Sequence, residues 1–229
     1  APRTDRKEPR AMARLLYDLC ADNDLRFSPF CWRVKLALAH KGLDYQTEPV
    51  RFTEKSKLEF SGQKLVPVLD DKGTIVSDSW AIAEYLEETY PDAPTLFPGN
   101  EGKHMAKLTM DWMDSQNREL LTFIILDIFD KLNAEDQAYF RSNREERFGK
   151  PLEEVQAGRE DRIHEFREVN LAALRVHVTD RPFIAGQEPA YGDYAVFGSF
   201  QWARIASDFD LLADGDPIYD WRERMIARL

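Results

Sequence analysis

The residues best placed to do chemistry stand at 27–38, "FSPFCWRVKLAL". The stretch reads like a redox motif, Cys-Pro-x-Cys, whose first cysteine has become Ser28. With Ser28 as the N-cap of a helix, Pro29 falls at its first position, where the missing N–H costs nothing, and Cys31 falls on the first turn. A helix start gathers unpaired N–H groups and partial positive charge, so it stabilises a thiolate, whether the protein's own or one carried by a ligand. Taken alone, Ser28 reads first as a cap and Cys31 as a small buried hydrophobe. Two further constellations bear on the choice. Pro67, at the start of the strand "VPVL", is confined to an edge or a first position and is a candidate for a cis bond. It leaves the Val66 backbone free to pair with an extended peptide. Asp78-Ser79 precedes "WAIAEYLEE", where one of the pair caps a helix whose N–H groups can hold a carboxylate, while Asp78 can meet an ammonium.

The elements that carry these residues change character along the chain. "RLLYDLC" (14–20) and "DYQTEPVRF" (44–52) read as strands, the second near an edge because of Pro49. "PFCWRVKLALAHK" (29–41) is helix-periodic and ends at Gly42. "LVPVLDDKGTIVS" (65–77) is two short strands around Asp70-Asp71-Lys72-Gly73, and 79–90 is an amphipathic helix stopped by Pro91. This order predicts a small α/β domain over 14–90. A proline-bearing linker at 91–102 follows, then an all-helical domain over 103–229 with long helices at 104–132, 152–180 and 191–207. Residues 1–13 offer little to bury and are expected to form a disordered tail.

Composition narrows the function. Hydrophobic residues make up 43% of the 229, enough for a sizeable core, and no apolar run is long enough to span a membrane. A net charge of −10 repels nucleic acid. Two cysteines, Cys20 and Cys31, make no disulfide framework, so a reducing cytoplasm is expected. No Cys/His cluster at zinc spacing is present, and no metal is expected.

A ligand with an amino-acid end, a peptide middle and a sulfur would engage all three constellations, and glutathione has that form. The order "SPFCWRVKLALAHKG", "VPVLDDKG", "SDSWAIAEYLEETYPDAPTLFPG", then a helical half, resembles the cytosolic glutathione transferases over residues 14–229. The resemblance implies a thioredoxin-like N-terminal domain (βαβαββα), an all-helical C-terminal domain, glutathione as co-substrate and a homodimer. It implies Ser28 as the thiol-activating residue, with Val66, Pro67, Asp78 and Ser79 as glutathione contacts. Lys64 would reach the glycyl carboxylate, or is an exposed turn lysine. "EPAYGDYAVFGSF" (188–200) resembles the family's helical capping box, with Asp193 as its buried acid and Ala190 where a hydroxyl residue is usual.

Within the family, "SPFCWRVKLALAHKG", "DSWAIAEYLEETYPD" and "LEEVQAGRED" (152–161) look like serine-type glutathione-dependent β-etherases. That likeness implies thiolate attack on the carbon α to a ketone, with an aryloxide leaving. "CWRV" instead suggests a zeta-type isomerase, although Pro29 and Phe30 stand where that class has Ser and Cys. The same residues are compatible with a Cys31-dependent thiol transferase and with a non-catalytic ligand-binding protein. The electrophile is expected to be small and hydrophobic or aromatic. Phe30, Trp112, Ser115 and Gln116 are the candidate pocket residues, and Glu119 and Trp202 are further ones.

Overall fold

The computed structural model describes residues 14–229, so the tail expectation lies outside the described residues. Four strands form one sheet: β1 (Leu15–Leu19), β2 (Gln46–Val50), β3 (Val68–Asp71) and β4 (Thr74–Ser77), in the order β2-β1-β3-β4. β1 pairs parallel with β2, which needs a crossover, and helix α1 (Pro29–His40) provides it. The β1–β3 and β3–β4 pairs are antiparallel, and Lys72-Gly73 closes the last hairpin. Alternation along β1 sends Leu16 to the main core and Tyr17 to a smaller cluster with Val50, Leu58 and Val68.

α1 ends because Gly42 takes the left-handed conformation (φ 65°), which lets Leu43 N–H close back on the Leu38 carbonyl at 3.0 Å. The second helix of the βαβαββα pattern is present only as a 3₁₀ segment, Lys55–Ser61, lying over the smaller cluster. Helix α2 (Ser79–Thr89) completes this half.

The remainder is helical: α3 (Gly102–Leu121), α4 (Ile125–Phe129), α5 (Ala134–Phe148), α6 (Leu152–Gln156), α7 (Arg159–Glu165), α8 (Ala172–Thr179), α9 (Tyr191–Ala206) and α10 (Pro217–Ile226). Two long helices of the sequence reading are divided. The 104–132 stretch breaks after Leu121, where the freed carbonyl of Phe123 takes a bond from Arg159 (2.8 Å) and that of Thr122 one from Arg162 (3.4 Å). The 152–180 stretch breaks at Gly158 and again at a π-turn, Phe166–Asn170. Two helices, α5 and α10, are absent from the sequence reading.

The two halves meet along α1 and α9, and α9 is buried along most of its length. A Cβ on Gly198 would lie 2.4 Å from the Pro29 carbonyl oxygen, so only glycine lets α9 run this close behind the start of α1. Arg33, buried, fixes the same junction: Nε donates to the Ala195 carbonyl (3.2 Å), and the guanidinium binds Asp114 of α3 at 2.5 Å. At the start of α9, the buried Asp193 carboxylate accepts from the N–H groups of Ile184, Ala185 and Ala190 and from Trp221 Nε1, at 2.7–3.2 Å. Ala190 supplies no side-chain acceptor, so only the acid half of the capping box is made.

Candidate active site

The start of α1 opens into a cleft of about 640 Å³ between the two halves. Ser28 sits at its wall, 3% exposed, and Cys31 N–H donates to Ser28 Oγ at 3.3 Å. That bond uses one lone pair of the hydroxyl. The hydroxyl lies beside the Cys31 sulfur but donates no well-formed hydrogen bond among the described residues, so its proton can turn to a ligand in the cleft. Cys31 is different: it is fully buried, and burial together with the Asp18 carboxylate raises its thiol far above the ordinary range. A thiol held neutral in this way is a poor nucleophile at neutral pH.

Lys64 and Val66 line the cleft beside Ser28, and the Val66–Pro67 peptide is cis. Asp78 and Ser79 stand outside the cleft walls but are tied to this corner by Asp78 N–H, which donates to the Pro67 carbonyl at 3.4 Å. Asp78 Oδ1 caps α2 through Trp80 N–H (2.9 Å) and Ala81 N–H (3.1 Å), and Oδ2 has no partner among the described residues. Its backbone has φ 77° and ψ 134°, a strained conformation for a residue with a Cβ, of the kind that collects at binding sites. Ser79 is buried, with its carbonyl taking a bond from Tyr191 OH (2.7 Å) and its hydroxyl free of partners among the described residues.

Phe30 lines the cleft at the second position of α1. Trp112, Ser115 and Gln116 do not belong to it. Trp112 lines a separate groove of about 690 Å³ between α3 and α8, while Ser115 bonds the Trp112 carbonyl and Gln116 bonds Asn170. The reason is helical phase. The α3 residues in the cleft are Asp114, Asn117, Arg118 and Leu121, and a two-residue offset turns the expected set about 200° around the helix. Glu119 falls off the cleft for the same reason and binds Arg162 (3.2 Å), whereas Trp202 of α9 does line it.

The wall opposite Ser28 comes largely from α5, through Tyr139, Phe140, Asn143, Arg144, Arg147 and Phe148. "NAEDQAYFRSNREERFG" carries the marks of this helix: Asn133 as N-cap (accepting from Asp136 N–H, 2.9 Å), two acids in the first turn and Gly149 beyond the end. The cleft residues recur at 140, 144 and 147–148, one helical face. Arg144 is half-buried, with its guanidinium carbon 4.7 Å from the Phe140 ring centre and 5.9 Å from that of Phe52. Burial and the neighbouring Arg147 charge pull it down to about 10.

The sequence pattern described as "Glutathione S-transferase, C-terminal domain" matches residues 105–223, and that described as "Glutathione S-transferase, N-terminal domain" matches residues 27–89. The chain belongs to the glutathione S-transferase family. This glutathione S-transferase is 26% identical over 211 residues to glutathione S-transferase U28 of Arabidopsis thaliana, covering 90% of this chain and 83% of the relative. Its fold is similar to that of the solved glutathione transferase GSTFuA3 from Phanerochaete chrysosporium (TM-score 0.84, 23% identity, 95% and 97% of the two chains). A glutathione S-transferase of Ceriporiopsis subvermispora, solved in complex with glutathione, shares the fold at a TM-score of 0.80 and 23% identity, over 94% and 96% of the chains. The thioredoxin-like half and the helical half are thus those of a glutathione S-transferase. No helix among the described residues is long and apolar enough to cross a membrane.

Proposed function

We propose that the cleft binds glutathione and activates its thiol through Ser28 for attack on a small, aromatic electrophile, with cleavage of β-aryl ethers as the specific form. The observation that carries this is the Ser28 hydroxyl: it is fixed at the N-terminus of α1 by Cys31 N–H, and its own proton, in no well-formed hydrogen bond among the described residues, lies beside an open cleft. Donation from that hydroxyl and from the helix start favours the thiolate. About 2 kcal/mol of such preference lowers a thiol by about 1.5 pH units, enough to leave it largely ionised near pH 7.5. The Val66 backbone pairs with the peptide middle of glutathione, Asp78 Oδ2 takes the ammonium, the Ser79 hydroxyl and the start of α2 take the adjacent carboxylate, and Lys64 takes the glycyl carboxylate. The thiolate then displaces a leaving group from carbon, which in the etherase form is an aryloxide leaving the carbon α to a ketone. The buried, neutral Cys31 argues against a protein-thiol mechanism. A homodimer belongs to the same proposal.

The test is retention on immobilised glutathione, followed by incubation with glutathione and β-aryl ether ketones, aryl halides and mixed disulfides, with products identified by mass. Thioether products that decline in Ser28→Ala support the reading. Retention without turnover of any probe would make the chain a binding protein, and disulfide exchange lost in Cys31→Ser would make it a thiol transferase.

A further inference from the structure

Six cationic side chains and one carboxylate line the cleft, in a chain whose net charge is −10. The carboxylate, Asp114, is already held by Arg33 and by Asn117 Nδ2 (3.1 Å). Of the cations, Arg51 is paired with Asp22 at 2.7 Å. Lys55, Lys64, Arg118, Arg144 and Arg147 form no ion pair among the described residues. Lys64, Arg118 and Arg147 are exposed, which leaves Lys55 and Arg144 as the half-buried cations of the cleft without an acid among the described residues. Elsewhere Arg14 has Asp71, Lys35 has Asp18, Lys41 has Glu87 and Arg175 has Asp216, while half-buried Arg167 and Arg224 are met by backbone carbonyls.

The three arginines stand together on the helical wall. Arg118 of α3 lies over the Phe148 ring (4.9 Å) and reaches the Arg147 carbonyl (3.4 Å). Among the described residues Arg144 bonds only the side-chain oxygen of its neighbour Asn143, and its buried Nε has no partner. A guanidinium taken from water without a counter-charge is costly, and arginine's planar fork suits a carboxylate held two-handed. Glutathione does not account for this wall. Its glycyl carboxylate is met on the sheet side, near Lys64 and Val66, and its other carboxylate at Asp78-Ser79.

We infer that the electrophile carries an anionic group, a carboxylate, which docks on Arg144 with Arg118 and Arg147 while its aromatic part lies among Phe52, Phe140 and Phe148. This deepens the transferase reading and rests on it. Specificity then follows from charge: a neutral analogue leaves the half-buried guanidinium unpaired.

Binding of inert thioethers separates the two claims without requiring turnover. S-benzylglutathione is compared by equilibrium titration with its 3- and 4-carboxybenzyl analogues, so the glutathione part cancels. The expected result is about 10–100-fold tighter binding of at least one carboxylated analogue, the span typical of a charge-assisted bond. The preference falls at least tenfold in Arg144→Gln and is partly restored in Arg144→Lys, while S-benzylglutathione binds the variants within about threefold of wild type. Equal wild-type affinity for all three ligands overturns the inference and leaves the transferase reading standing. Failure of all three to bind at millimolar concentration overturns both. The wild-type ratio decides the question even where a variant does not fold.

Discussion

On the proposed function, the two walls of the cleft recognise by different means. The sheet-side wall works through backbone and helix ends: the α1 terminus with Ser28, the Val66–Pro67 corner and the strained Asp78 that caps α2. The helical wall works through long side chains, with arginines set among aromatic rings on α3 and α5. Backbone recognition is rigid and suits one invariant ligand. Side-chain recognition is altered by single substitutions on a helix face, so it suits the variable partner of a two-substrate reaction. On that proposal the halves divide the work between a fixed cosubstrate and a selectable one.

Breaking the register between the walls gives the largest effect. Gly198→Val places a branched side chain where a single Cβ already lies 2.4 Å from the Pro29 carbonyl. It forces α9 away from α1 and so separates the wall bearing Trp202 from the one bearing Ser28. A loss of about 3 kcal/mol in urea unfolding is expected, with turnover down more than about 100-fold in the fraction that remains folded. Wild-type turnover in this variant would show that the walls are not positioned by this contact.

Removing the hydroxyl from the sheet-side wall comes next. On the proposed function Ser28→Ala deletes one charge-assisted hydrogen bond to the thiolate, worth about 2 kcal/mol, so kcat should fall about 30-fold. It also removes the N-cap acceptor for Cys31 N–H, at about 1 kcal/mol of stability. Steady-state kinetics and chemical unfolding measure the two losses separately. A stability loss with unchanged kcat would reduce Ser28 to a cap.

The sheet-side wall is readable in the sequence because its parts are local. A Ser-Pro helix start, a strand-initial proline and an Asp-Ser cap each announce themselves within a few residues. The helical wall is assembled at long range. α3 is recognisable as a helix, yet periodicity does not choose its cleft-facing side, since Trp112 and Leu121 are both apolar and face different cavities. α5 escapes the same reading because "NAEDQAYFRSNREERF" has few apolar residues, and the face it does bury is built from arginine stems and rings. The break after Leu121 depends on Arg159 and Arg162, more than thirty residues away.

Phase on α3 can itself be tested. Asn117 faces the cleft, and its buried side-chain oxygen has no partner among the described residues, whereas Gln116, one position earlier, bonds Asn170 away from the cleft. Asn117→Ala should lower kcat/KM about fivefold, the worth of one neutral hydrogen bond, and Gln116→Ala should leave it within about twofold. The reverse order in the two kinetic constants would place the substrate on the other face.

The smallest effect on activity is expected at Cys31, which neighbours Ser28 in sequence yet belongs to the core rather than to either wall. Cys31→Ala should change turnover less than about twofold and cost about 1 kcal/mol for the small void it leaves. Its signature lies in pH. Burial raises the thiol in the folded chain, so the folded state keeps the proton while the unfolded chain gives it up near pH 8.5. The stabilisation from burying the neutral thiol is therefore full below about pH 8.5 and declines above it, by at most about 1.4 kcal/mol per pH unit. Between pH 8 and 10 the unfolding midpoint of the wild type should drop further than that of Cys31→Ala, with Cys20 common to both. Parallel midpoints would mean that the thiol ionises in the folded state, which would bring Cys31 back as a nucleophile and undo the separation of Ser28 from its neighbour.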